Sequence, residues 1–132
     1  MIVIVDDRNL VTDAFRSSFD REGIPAAGFS AGDFEGWVEA AASEDVMAIN
    51  GFLIGQCNRP DLLARIIKRR SAAAIIAMKD HKTLASTLEL FAIGVDDVIS
   101  KPYHVRKKLA RMKTIRRRAN MERNRPTDAA PA

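Results

Sequence analysis

Val46-Met47-Ala48-Ile49-Asn50 is the apolar run on which the reading of this chain turns. Four apolar residues in a row, with a polar residue closing them, read as a short strand buried on both faces. A strand at this point of a 132-residue chain is the middle one of five. Its last residue, Asn50, then stands at the mouth of the sheet. An amide there, rather than a carboxylate, decides what chemistry is open to the domain.

The flanking segments alternate strand and helix. Ile2 to Val5 is a continuous β-branched run that stops at Asp6-Asp7. Residues 8–22 place Leu10, Ala14, Phe15, Ser18 and Phe19 on one helical face, and Gly23 fits the turn after that helix. Residues 24–29 form a weaker strand, which Pro25 assigns to an edge. Asp33 is expected to cap a helix carrying Phe34, Trp37, Val38 and Ala41, and residues 51–58 are expected to form a loop. Pro60 opens a helix with Leu63, Ile66 and Ile67 inward. Residues 72–78 form a fourth strand. Asp80, one residue past Lys79, either approaches the mouth of the sheet or, as expected here, caps a fourth helix that carries Leu84, Leu88 and Phe91 and closes at Gly94. Residues 95–100 form a fifth strand before Lys101-Pro102, and a fifth helix is expected from Tyr103 to near Met121, with Val105, Leu109, Met112 and Ile115 inward. Five alternations imply right-handed crossovers and a parallel sheet covered on both sides. The expected fold is therefore α/β, a flavodoxin-like (βα)5 three-layer sandwich with strand order 2-1-3-4-5. In that order the carboxyl ends of the strands gather Asp6, Asp7, Asn50, Lys79 and Lys101 around one crevice.

Charge is unevenly distributed. Residues 1–100 carry 10 basic and 15 acidic side chains, whereas residues 101–125 carry 11 basic and one acidic. Such a basic segment is either a solvated helix face or a source of contacts with nucleic acid. One cysteine, Cys57, excludes an internal disulfide. No apolar run approaches the length of a membrane span and no signal-type segment opens the chain, so a cytoplasmic protein with no membrane partner is expected.

These stretches resemble the receiver domains of response regulators, of the CheY-like fold. The resemblance covers residues 1 to about 120. It rests on Val5-Asp6-Asp7, on residues 45–50, and above all on Gly94-Val95-Asp96-Asp97-Val98-Ile99-Ser100-Lys101-Pro102. Leu109-Ala110-Arg111-Met112-Lys113 followed by Arg116-Arg117-Arg118 looks like receivers of the OmpR type, which carry winged-helix DNA-binding domains. The whole looks most like the atypical flagellar transcriptional regulators of alphaproteobacteria, the Rem/FtcR type.

The resemblance implies an acidic pair and a third carboxylate that hold Mg²⁺. The third carboxylate accepts a phosphoryl group, and a hydroxyl and a lysine stabilise it. Asp6 and Asp7 match the pair and Lys101 the lysine, but Asn50 stands at the phosphoacceptor, Lys79 at the hydroxyl and Val98 at a switching aromatic, with Ile54 where a proline is usual. An amide is not a competent nucleophile toward a phosphoryl donor. With one carboxylate missing, no metal is expected, Asp6 and Asp7 remaining the weak candidates for Mg²⁺. Lys79 either replaces the ion against Asp6 and Asp7, together with Lys101, or points to water. The domain is thus expected to be regulatory, not an enzyme, and phosphorylation-independent. It would dimerise through the fourth helix, fifth strand and fifth helix, where Glu89, Asp96, Asp97, Lys107 and Arg111 supply the charges. DNA would be met through a domain absent from this chain, with residues 121–132 a flexible tail toward it. The alternative is a stand-alone receiver-like adaptor that binds another signalling protein. His81 and His104 read as exposed polar residues, Cys57 as an inert thiol and Trp37 as a helix anchor.

Overall fold

The computed structural model describes residues 1–100. Along them run β1 (Ile2–Val5), α1 (Asn9–Arg21), β2 (Ala26–Phe29), α2 (Ala31–Ala40), α3 (Ser43–Met47), β3 (Gly51–Ile54), α4 (Pro60–Arg70), β4 (Ala74–Lys79), α5 (Leu84–Ala92) and β5 (Asp97–Ser100). The five strands pair in parallel in the order β2-β1-β3-β4-β5, as the alternation of elements predicted. The expected fifth helix, with Lys101, His104, Lys107 and Arg111, lies outside the described residues.

Successive strand residues serve opposite faces of the sheet. Val3, Val5, Phe52, Ile54, Ile75, Ala77 and Val98 meet Phe34 and Val38 of α2, Leu63, Ala64 and Ile67 of α4 and Leu90 of α5. Ile2, Ile4, Leu53, Ile76, Met78 and Ile99 form the other face, against Phe15 and Phe19 of α1. Trp37 anchors α2 as expected, with its ring centroid 5.4 Å from that of Phe29 and 6.2 Å from that of Phe34. Arg70 of α4 donates from its guanidinium to the carbonyls of Val38 and Ala41, so it serves the carbonyl groups that the end of α2 leaves open.

The third strand is displaced from its expected place. Residues 46–49 are not a strand: Ser43–Met47 form helix α3, and the strand is the next segment, Gly51–Ile54, which the sequence reading assigned to a loop. Val46 and Ile49 are buried and three apart, a helical spacing, while Met47 between them is 79% exposed. Glu44 and Asp45 in the first turn favour the helix through its dipole. Gly51, Phe52, Leu53 and Ile54, by contrast, are all buried.

Ser30, not Asp33, caps α2, its hydroxyl accepting from the Asp33 N–H at 3.2 Å. Thr83, not Asp80, caps α5 in a reciprocal box with Ser86. The expected inward face of α5 is turned outward, with Leu84 76%, Leu88 57% and Phe91 44% exposed, and Leu10 of α1 is exposed as well.

The helical assignment of residues 43–47 predicts unequal effects at two adjacent apolar positions. Met47→Lys should change stability by no more than about 0.5 kcal/mol, whereas Val46→Lys should cost more than about 3 kcal/mol, both read from urea denaturation midpoints.

Candidate functional site: a self-neutralised acidic pocket

Register fixes what meets at the carboxyl edge of the sheet. Val5 pairs with Ile54, so the chain beyond β1 runs beside the chain beyond β3. The Gly55 N–H donates to the Val5 carbonyl at 2.8 Å and the Asp7 N–H to the Gln56 carbonyl at 2.8 Å. The residue beside the acidic pair at the mouth of β3 is therefore Gln56. Asn50 precedes β3, and its N–H donates to the carbonyl of Met1 at 2.7 Å. It lies at the opposite edge of the sheet, roughly 20 Å away at about 3.3 Å per residue. The expected placement of Asn50 in the pocket is thus corrected. An amide does stand at the position, but it belongs to Gln56, whose side chain is exposed.

Asp6 is completely buried. Its Oδ1 accepts from the Arg8 backbone N–H at 2.8 Å and from Arg8 Nε at 3.0 Å. Its Oδ2 accepts from Arg8 Nη2 at 2.9 Å and from the Gln56 N–H at 3.0 Å. A carboxylate offers about four lone-pair directions, so these contacts saturate it. Two of them form the parallel guanidinium fork that makes Arg–carboxylate pairs strong. The far side of the guanidinium, Nη1, lies 3.6 Å from Asp80 Oδ2. Freed from capping α5, Asp80 joins the pocket from the loop after β4.

Asp7 is exposed, and its Oδ1 accepts from the Ala31 N–H at 2.9 Å in the first turn of α2. Lys79 is the last residue of β4, half-buried and opposite Ser100 of β5. The cation bound in a fork on Asp6 is Arg8, a residue to which the sequence reading gave no role. Val98 is buried in β5. Asp96, expected on a dimer face, is engaged within its own chain: its Oδ2 accepts from the Ile75 N–H at 2.8 Å and lies 3.5 Å from Lys68 Nζ. Asp97 accepts from the Val98 N–H at 2.9 Å, and Glu89 is exposed on α5.

The Mg²⁺ that the receiver resemblance implies does not fit the pocket. Mg²⁺ needs near-octahedral oxygen ligands and usually one or two carboxylates. Here Asp6 has no acceptor site left, and among the described residues no three His, Cys, Asp or Glu side chains are grouped to hold a metal ion. The space is closed as well. A Cβ on Gly55 would fall 2.0 Å from Asp6 Oδ2, so this glycine is required for the strand to pass the carboxylate.

Cys57 is half-buried beside these groups. Burial pushes its thiol up to about 11; an Arg59 backbone hydrogen bond opposes this, and the charges of Asp7 and Asp6 add to it. The expected inert thiol agrees with that environment.

The arrangement is that of the CheY-like receiver fold, with an acidic pair at the mouth of a parallel 2-1-3-4-5 sheet. Its sequence is 52% identical over 119 residues to the flagellar transcriptional regulator FtcR of Brucella abortus, a match that covers 90% of this chain and 52% of that protein. The same identity and coverage hold for FtcR of Brucella suis. The chain spans about half the length of these curated relatives. No family model matches it. Among solved structures, a two-component response regulator from Clostridium difficile superposes with a TM-score of 0.74 at 19% identity, covering 90% of this chain and 97% of that one. An atypical orphan response regulator, whose structure revealed a phosphorylation-independent regulatory mechanism, superposes with a TM-score of 0.67 at 17% identity, covering 88% and 94%. The receiver resemblance read from the motifs is borne out by these matches. Among the described residues no helix is long and apolar enough to cross a membrane.

Three outcomes are expected from this geometry. Gly55→Ala should cost at least about 2 kcal/mol in urea denaturation, because either the Asp6 carboxylate or the strand must move and a buried acceptor loses its partners. Cys57 should react with iodoacetamide at pH 8 at least about tenfold more slowly than a free cysteine, since the thiolate is the reacting form, and should catch up only as pH approaches 11. The same raised value makes its ionisation destabilising: stability is constant below about 9 and falls as pH rises from there toward 11.

Proposed function

We propose that this chain is the phosphorylation-independent receiver domain of a transcription regulator that controls flagellar genes, working in the cytoplasm through assembly and not through a covalent mark. The observation that carries this reading is the pairing of Gln56 at the mouth of β3 with an Asp6 whose acceptor sites are all taken. An amide gives no nucleophile, and the saturated carboxylate gives no metal to activate a phosphoryl donor. The similarity to FtcR supports the flagellar assignment. The atypical orphan regulator shows that the same fold can serve regulation without phosphate. Residues 1–120 form the receiver part on this reading, residues 121–132 lead away from it, and DNA is bound by a domain outside this chain.

Assembly needs a surface, and α5 with β5 offers one. Leu84, Leu88 and Phe91 are spaced along one stripe of α5 and exposed, with Glu89 and Asp97 nearby in sequence. An apolar stripe edged by charges is the composition of a protein–protein contact. A homodimer across this face would pair Glu89 with Lys107 and Asp97 with Arg111.

Incubation with acetyl phosphate followed by intact mass spectrometry should leave the mass unchanged. A stable increment of one phosphoryl group would remove the reading. In sedimentation, the chain should dimerise without phosphate, and Arg111→Glu or Leu88→Glu should weaken the dimer by at least about tenfold, as loss of an interface anchor does. A monomer at high concentration, or a dimer indifferent to both changes, argues against this face.

A further inference from the structure

We infer that Arg8 is the resident cation of the acidic pocket: a tethered guanidinium that holds the place of a divalent ion and ties the loop after β1 to the loop after β4. The inference rests on the reading above that the pocket works without a phosphoryl group, and it goes further by naming what keeps the pocket closed.

Three observations carry it. The first is occupancy. Arg8 supplies three of the four donors on Asp6, one from its backbone and two from its guanidinium, and the Gln56 N–H supplies the fourth. A metal ion reaching Asp6 must displace the fork and strand a wholly buried carboxylate during the exchange, which is strongly unfavourable. The second is tethering. Arg8 is two residues from Asp6 in the chain, so its effective concentration at the carboxylate is high and independent of solution conditions. The third is span. The same guanidinium that forks onto Asp6 also reaches Asp80 at 3.6 Å. A solvated ion held by one carboxylate would leave the position of the loop after β4 to be chosen by other contacts. Arg8 fixes both ends with one planar group, which a lysine's single ammonium does not reproduce. The contact to Asp80 is half-exposed and weak by itself; its role is to set position.

The expectation is tested by titrating the full chain with Mn²⁺, followed by electron paramagnetic resonance of the free ion. The wild-type chain, Gln56→Asp, and the double variant Arg8→Ser/Gln56→Asp are compared, with circular dichroism melts reporting that each is folded. Wild type and Gln56→Asp should show no saturable site up to about 10 mM Mn²⁺, while the double variant should gain a one-to-one site at least about tenfold tighter than that limit. Arg8→Lys/Gln56→Asp should fall between the Gln56→Asp single variant and the double variant in metal affinity, because an ammonium keeps the charge and loses the fork. Saturable one-to-one binding to the wild-type chain overturns the inference, and so does a single Gln56→Asp variant that binds as tightly as the double. A folded double variant that gains no site overturns it too. Should Arg8→Ser prevent folding, Arg8→Gln/Gln56→Asp takes its place, and the wild-type titration decides without any variant. The two readings fail separately: labelling by acetyl phosphate sinks the phosphate-independent reading, whereas Mn²⁺ binding without labelling sinks only the role given to Arg8.

Discussion

A buried carboxylate must be paid for with donors, and Asp6 is the group around which this pocket is arranged. It sits at the carboxyl end of β1 with no exposure to water. Ionised and unpaired, it would be too costly to keep there. Arg8 and the Gln56 N–H together meet that cost. The consequences spread outward. Gln56 must follow β3 in the register that pairs Val5 with Ile54. Gly55 must lack a side chain so that the strand can pass Oδ2. The loop after β1 must turn back far enough for Arg8 to reach its neighbour two positions earlier. Each requirement is local, and together they fix the relative placement of β1, β3 and the loop after β4.

The sheet was legible in the sequence because its order follows from alternation, and alternation survives errors in individual segments. Ile2–Val5 and Ala74–Lys79 announce themselves as β-branched and alanine-rich apolar runs. The third strand was misplaced because residues 46–49 and 51–54 are both short and apolar, and a short run does not distinguish a strand from one buried turn of helix. What separates them is burial: Val46 and Ile49 are covered while Met47 is not, and that depends on neighbours far away in the chain. The outward face of α5 escaped for a related reason. Leu84, Leu88 and Phe91 have ideal core spacing, but Leu90, one residue earlier than Phe91, is the one that enters the core.

The site was legible as a place and not as a set of partners. Asp6 and Asp7 follow a β-branched strand and were found from that alone. The amide at the mouth of β3 was anticipated in kind and misassigned in position, since the register error moved it from Gln56 to Asn50. Arg8 carries no pattern: an arginine two residues after an aspartate is ordinary, and its fork becomes visible only when the turn after β1 is seen in three dimensions. Asp80, next to Lys79, was close enough to the crevice to be weighed for it, but capping was the role preferred. A carboxylate four residues before a helix reads as a cap, and only the competing box of Thr83 and Ser86 releases it.

A ligand shifts a conformational equilibrium only to the extent that it binds one state better than the other. In a pocket whose acidic group is already paired to a tethered cation, a diffusible ion has little differential affinity to offer, because its site is filled in the resting state. The same holds for a phosphoryl group that finds an amide in place of a nucleophile. On the proposed reading, control therefore passes to quantities the pocket does not sense, namely the amount of protein and the presence of a partner on the exposed stripe of α5. Such a domain sits closer to a fixed assembly element than to a switch. The acidic pocket then serves as a joint, with Asp6, Arg8, Gln56 and Asp80 holding three segments in one arrangement.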